Sequence, residues 1–128
     1  MEIKNPFTWI EIYVDDMDRA QKFYETVLQV KLQPMPSPIE GSGWEMLCFP
    51  WSQNGPNISG ALCKMAEMKP GFGGTLAYFD CEDCAIESGR VTEAGGKVFQ
   101  QKFQIGEHGF CSIAMDTEGN MIGFHSMK

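Results

Sequence analysis

The chain has 128 residues, with 17 acidic against 10 basic side chains, a formal net charge of −7 and a pI near 4.7. No basic run occurs in it, so nucleic acid and anionic membrane surfaces are not expected partners. A hydrophobic content of 43%, with 12% aromatic, excludes a disordered chain, and this length buries enough surface for one domain without disulfides or a structural metal.

The opening MEIKNPF is too short and too polar for a signal peptide, and no apolar run approaches membrane-spanning length. Five cysteines, an odd number at low density, read as reduced thiols, so the expected location is cytoplasmic. Residues 7–14 alternate as a strand, with Trp9, Glu11 and Tyr13 on one face and Ile10, Ile12 and Val14 on the other. Asp15 or Asp16 can accept backbone N–H bonds at the start of a helix, and Ala20, Phe23, Tyr24, Val27 and Leu28 then form one apolar stripe. Residues 30–35 read as a second strand ended by Met-Pro-Ser-Pro, 44–49 as a third and 58–65 as a fourth. Residues 66–74, AEMKPGFGG, are the most linker-like in the chain.

From residue 75 the pattern starts again. Residues 76–81 alternate, Asp83 caps a helix reaching about residue 94, and Gly95-Gly96 stops it. Strands follow at 97–102, 110–115 and 121–126, with a loop at 103–109 and a tight turn at Asp116-Thr117-Glu118-Gly119. Placing Val14-Asp15-Asp16 on Cys81-Glu82-Asp83 also brings Ile58-Ser59-Gly60 onto Met121-Ile122-Gly123 after a small shift for loop length. The expected fold is therefore α+β, with two pseudo-repeated βαβββ modules (residues 1–66 and 75–128) forming a curved mixed sheet around a cavity, together one domain.

The faces opposite the helices should line that cavity. Side-chain parity assigns to it Trp9, Glu11 and Tyr13 with Leu76, Tyr78 and Asp80, joined by Gly60, Leu62, Met121, Gly123 and His125. The aromatic and apolar members suit a small organic ligand, although any one of them taken alone reads as core. Glu11 and His125 are the candidate catalytic acid/base pair; the alternative is a structural carboxylate and imidazole that satisfy each other or nearby backbone. The two readings are balanced for His125. Function is favoured for Glu11, because a carboxylate between two aromatics in an apolar strand is costly without a purpose. Cys81-Glu82-Asp83-Cys84 lacks a second cysteine pair for zinc, and structural thiols are the better reading.

The stretches IEIYVDDMDRAQKFYETVL, GGTLAYFDCEDC with EAGGKV, and DTEGNMIGFHS together resemble the vicinal oxygen chelate superfamily of glyoxalases, bleomycin-resistance proteins and extradiol dioxygenases. Trp9-Ile10-Glu11 with Gly123-Phe124-His125-Ser126 is most similar to the predicted enzymes related to lactoylglutathione lyase. The resemblance implies paired βαβββ modules, a small-molecule pocket and a homodimer, to which the exposed aromatics Trp51 and Phe72 could contribute. It also implies four metal-ligand slots, which here hold Trp9, Gly60, Leu76 and Gly123, none able to coordinate a divalent cation through its side chain. The expectation is a glyoxalase-like enzyme without metal or other cofactor, acting on a small oxygenated compound, or a non-catalytic binder of a small hydrophobic ligand. A shifted metal set of Glu11, His125 and either His108 or Asp80 is a minor alternative.

Overall fold

The computed structural model describes every residue except Met1, Glu2, Lys4, Pro6, Pro38, Ile39, Phe72 and Gly74. The expectation for Phe72 therefore lies outside the described residues. The elements run β1 (Ile10–Tyr13), α1 (Met17–Leu28), β2 (Gln33–Met35), β3 (Glu45–Cys48), β4 (Gly60–Lys64), β5 (Ala77–Asp80), α2 (Cys84–Arg90), β6 (Lys97–Gln104), a 3-10 turn (Gly106–His108), β7 (Phe110–Met115) and β8 (Met121–Ser126). They form two four-stranded mixed sheets, ordered β1-β4-β3-β2 and β5-β8-β7-β6. In each sheet the module's first and last strands pair in parallel and the other pairs are antiparallel.

Both helices begin on an aspartate. The Asp16 carboxylate accepts from Arg19 N at 3.0 Å, and the Asp83 carboxylate accepts from Ala85 N at 3.0 Å. Each satisfies a backbone donor that the first helical turn leaves free. The second helix ends at Arg90, short of the expected 94. Ser88 and Gly89 weaken its last turn, and Gly96 N donates to Val91 O at 2.9 Å to close it.

One core joins the modules. It contains Ile12, Val14 and Leu62 from the first sheet, Ala20, Phe23, Tyr24 and Val27 from α1, Cys84 and Val91 at the two ends of α2, and Ala114, Ile122 and Phe124 from the second sheet. The helix-covered faces of both sheets thus share a single interior. Tyr24, fully buried, is its centre: its ring meets Phe23 at 4.9 Å, Phe49 at 5.6 Å and Phe79 at 5.8 Å. Its hydroxyl donates to Asp116 Oδ2 at 2.6 Å. Burial, followed by the adjacent Asp116 charge, pushes the phenol well above its ordinary range and keeps it a donor.

The turn between β7 and β8 ties the second module to the start of α1. Glu118 Oε1 accepts from the backbone N–H of Asp15 at 3.0 Å and of Asp16 at 2.9 Å. Arg19 and Thr117 also donate to this carboxylate, and Asn120 Nδ2 donates to Tyr13 O at 2.8 Å. Burial alone would raise the Glu118 carboxyl; the Arg19 guanidinium and the donors of Asp16, Thr117 and Asp15 outweigh it and hold it at about 2. Such multiple charge-assisted bonds are what a carboxylate needs to stay ionised away from water.

Candidate functional site

The face of β1 turned away from the core carries Trp9, Glu11 and Tyr13, as its alternation requires. Trp9 Nε1 donates to Glu11 Oε2 at 3.2 Å and Tyr13 Oη donates to Glu11 Oε1 at 3.1 Å. Each carboxylate oxygen is thus engaged by an aromatic neighbour two residues away on the same strand. Burial, then the hydrogen bond to Glu11 and its charge, raises the Tyr13 phenol. Burial, with the Glu11 charge, pushes the neighbouring Cys63 thiol up to about 12.

The parallel register pairs Glu11 with Ala61 and Tyr13 with Cys63, while Gly60 pairs with Ile10 and Leu62 with Ile12. This corrects the expectation for Leu62, whereas Gly60 lines the cleft beside Ile10. Leu62 is fully buried in the helix-side core, and Ala61 and Cys63 share the Glu11 face. A one-residue slip in a strand transfers its whole set of side chains to the opposite face. In the second sheet Tyr78 pairs with Gly123 and Asp80 with His125, so Leu76, Tyr78, Asp80, Met121, Gly123 and His125 all lie on the parity opposite the core.

A cleft of about 780 Å³ opens where the free edges of β1 and β5 approach. Ile10, Ile12, Phe49 and Phe79 form much of its apolar wall, with Ile58, Phe103 and Ile105 at its sides. Tyr78, Asp80 and His125 line it from the outer face of the second sheet. The structure therefore brings together only part of the expected lining. Trp9, Glu11 and Tyr13 point away from the core, and β1 offers the cleft Ile10 and Ile12 instead. The face of the first sheet that sequence parity assigned to the cavity is the one turned out of it. Leu76, Met121 and Gly123 also lie off its wall.

No hydrogen bond joins Glu11 and His125. His125 Nε2 lies 2.7 Å from the carbonyl of His108. A carbonyl only accepts, so in the neutral ring Nε2 carries the proton and Nδ1 is left as an acceptor. Asp80 Oδ2 accepts from Asn57 Nδ2 at 3.2 Å. Asn57 has φ 69°, a left-handed conformation that asparagine tolerates better than most residues, and it sits in the loop leading to β4. The Asn-Gly-Pro-Asn sequence marked a turn but gave no sign that its last residue would reach β5. Cys111, the register partner of His125 on β7, also lines the cleft and went unnoticed in sequence because it reads as an isolated core thiol.

The residues present do not fit a divalent cation. The register makes Ala61 the equivalent of Gly123, so the four slots hold Trp9, Ala61, Leu76 and Gly123, with no oxygen, sulfur or imidazole donor among their side chains. Space beside Gly123 is taken by the Tyr78 ring, into which a Cβ at that position would run. Among the described residues no group of three or more His, Cys, Asp or Glu side chains is placed to hold a metal ion, so the shifted set with His108 or Asp80 is not assembled. Cys81 and Cys84 are free and buried, and burial, followed by Glu87, pushes the Cys81 thiol up to about 12. That disfavours the thiolate that redox or metal chemistry would need.

A family model described as bleomycin resistance protein-like N-terminal matches residues 6–40. No curated protein matches the chain significantly. Among solved structures, a point mutant of glyoxalase I from Zea mays is similar with a TM-score of 0.70 and 17% identity, covering 95% of this chain and 47% of that one. The chain thus spans about half the length of the maize protein. A glyoxalase-related enzyme from Fulvimarina pelagi is similar at TM-score 0.68 and 11% identity, over 96% of this chain and 88% of that one. TnmS3, an antibiotic binding protein from Streptomyces sp. CB03234, is similar at TM-score 0.64 and 19% identity, over 98% of both chains. No helix among the described residues is long and apolar enough to cross a membrane.

Proposed function

Because the chain has the fold of the vicinal oxygen chelate superfamily, the glyoxalase and bleomycin-resistance group, we propose that it binds a small, largely apolar organic molecule in the cleft between its modules, without a divalent cation. The carrying observation is the cleft itself: about 780 Å³, walled by aliphatic and aromatic side chains, with Asn5, Asn57, Ser59, Asp80 and His125 as polar members of its lining. That is the composition of a site that takes a small molecule by burial and orients it with a few polar contacts. Binding is favoured over turnover because the two acid/base candidates are separated. Glu11 has both oxygens engaged by Trp9 and Tyr13 and lies off the cleft. His125 reaches the cleft without a carboxylate bonded to it. The antibiotic-binding neighbour from Streptomyces supports the same reading by analogy of fold.

A homodimer belongs to this proposal. The half-exposed Trp9 and Tyr13, packed with Met35 and Met65 on the outer face of the first sheet, are a surface that a second copy would cover. The five free cysteines fit a reducing compartment such as the cytoplasm.

The test is a fluorescence titration with N-phenyl-1-naphthylamine, an uncharged apolar probe. Saturable one-to-one binding is expected, unchanged by EDTA and by Glu11→Gln, and weakened about tenfold by Ile58→Arg at the cleft wall. Absence of saturable binding, or binding that disappears with EDTA, would overturn the proposal.

A further inference from the structure

Tyr78 and Gly123 are register partners on adjacent parallel strands. A Cβ at position 123 would collide with Cδ1 and Cε1 of Tyr78 and crowd its Cγ, so the ring lies across the bare α-carbon of the glycine. This is how an aromatic covers a glycine in a sheet. It leaves one side of the ring against backbone and the rest open, and Tyr78 is 49% exposed at the cleft. Two residues along the same face stands Asp80, roughly 7 Å away at strand spacing. Its partner in hydrogen bonding is the Asn57 amide, and among the described residues no Lys or Arg forms an ion pair with it. His125 stands beside Asp80 in register, with Nε2 2.7 Å from the His108 carbonyl. Asp80 is the one carboxylate among the described residues lining the cleft, and no cationic side chain lines it.

We propose that this corner of the cleft takes a planar aromatic cation, stacked on the Tyr78 ring with its N–H-bearing edge directed at Asp80. The proposal rests on the cleft-binding reading above and names the ligand class for it. A planar system of two or three fused rings laid on the Tyr78 face carries its edge to the Asp80 carboxylate, roughly 7 Å along the strand. Stacking on an aromatic face and attraction to an unpaired carboxylate then act on the same molecule. The chain's net charge of −7 favours the approach of a cation over that of an anion.

The experiment compares proflavine, a planar diaminoacridine cation, with the uncharged, twisted N-phenyl-1-naphthylamine. Proflavine should bind the wild-type chain, about tenfold more weakly in Tyr78→Leu and within about twofold of wild type in Tyr78→Phe. Asp80→Asn should weaken proflavine about threefold to fivefold at low salt and leave the uncharged probe unaffected. Both positions are exposed, so circular dichroism should report native folding in every variant. If N-phenyl-1-naphthylamine binds but proflavine does not, or if Tyr78→Leu and Asp80→Asn leave proflavine affinity unchanged, the platform is wrong while the cleft-binding reading stands. If neither probe binds the wild-type chain, both fail.

Discussion

Arg19 on the first helix and Glu118 in the β7–β8 turn meet across the seam between the modules through two hydrogen bonds, Nε to Oε2 at 2.7 Å and Nη2 to Oε1 at 2.9 Å. Glu118 also accepts from the backbone N–H groups of Asp15 and Asp16 just ahead of that helix, so one carboxylate holds the ion pair, the helix entry and the seam together. Its folded-state value near 2 lies below the ordinary 4.5, so its contribution is fully present above about pH 4.5 and is lost as pH falls through about 2. Allowing for the half-exposed Arg19, that contribution is about 2 kcal/mol. Urea unfolding at pH 6, 4 and 3 should show stability falling with pH, and Glu118→Gln should both lower stability and flatten that slope. An unchanged slope in the variant would show that other groups set the acid response.

Tyr24→Phe keeps the ring contacts with Phe23, Phe49 and Phe79 and removes only the hydroxyl bonded to Asp116. Asp116 Oδ2 retains Asn120 Nδ2 at 3.0 Å, so the carboxylate is not left bare. The expected loss is about 1 to 2 kcal/mol, read from the denaturation midpoint at constant m-value.

Two glycines separate space from backbone conformation. At Gly96 a Cβ would collide with the Met115 carbonyl and lie 2.6 Å from Phe23 Cε1. At Gly89, inside α2, it would meet nothing within 4 Å. Gly96→Ala should therefore destabilise by more than about 1 kcal/mol, whereas Gly89→Ala should stabilise by about 0.5 to 1 kcal/mol through helix propensity. Thermal melts of the two variants should move in opposite directions.

The thiols should react in order of access. Cys48 is the partly exposed one, whereas Cys63, Cys81, Cys84 and Cys111 are buried. Burial drives both Cys63 and Cys81 up to about 12. Titration with an aromatic disulfide at pH 8 should label Cys48 first and leave Cys63 and Cys81 unlabelled until denaturant is added. Rapid labelling of Cys81 or Cys84 in the native protein would reopen a redox role for that pair.

Most of the architecture was legible in the sequence because α1, β7 and β8 carry strong local signals: an aspartate cap, an apolar stripe, and runs bounded by turns. The position of β4 on its partners was not. Gly60, Ala61, Leu62 and Cys63 are all buried, so neither parity of that strand contrasts with the other and no alternation fixes its register. The resulting one-residue slip put Leu62 on the wrong face. The site was harder still. Parity sorted Glu11 from Ile12 correctly, but it says which residues share a face, not which face meets the other module. That depended on Tyr24 packing against Phe49 and Phe79, and on Asn57 reaching Asp80, contacts between segments far apart in the chain.

The strand order also fixes when each half can be completed during translation. β1 has β4 as its neighbour and β5 has β8, so in both modules the strand made first waits for the strand made last. No hairpin can rescue it in the meantime, since a parallel neighbour cannot be supplied by a tight turn. A ribosome stalled before Met121 would hold β5 with nothing to pair along its backbone, and the closing stretch Met121–Ser126, short as it is, acts as the latch of the second half.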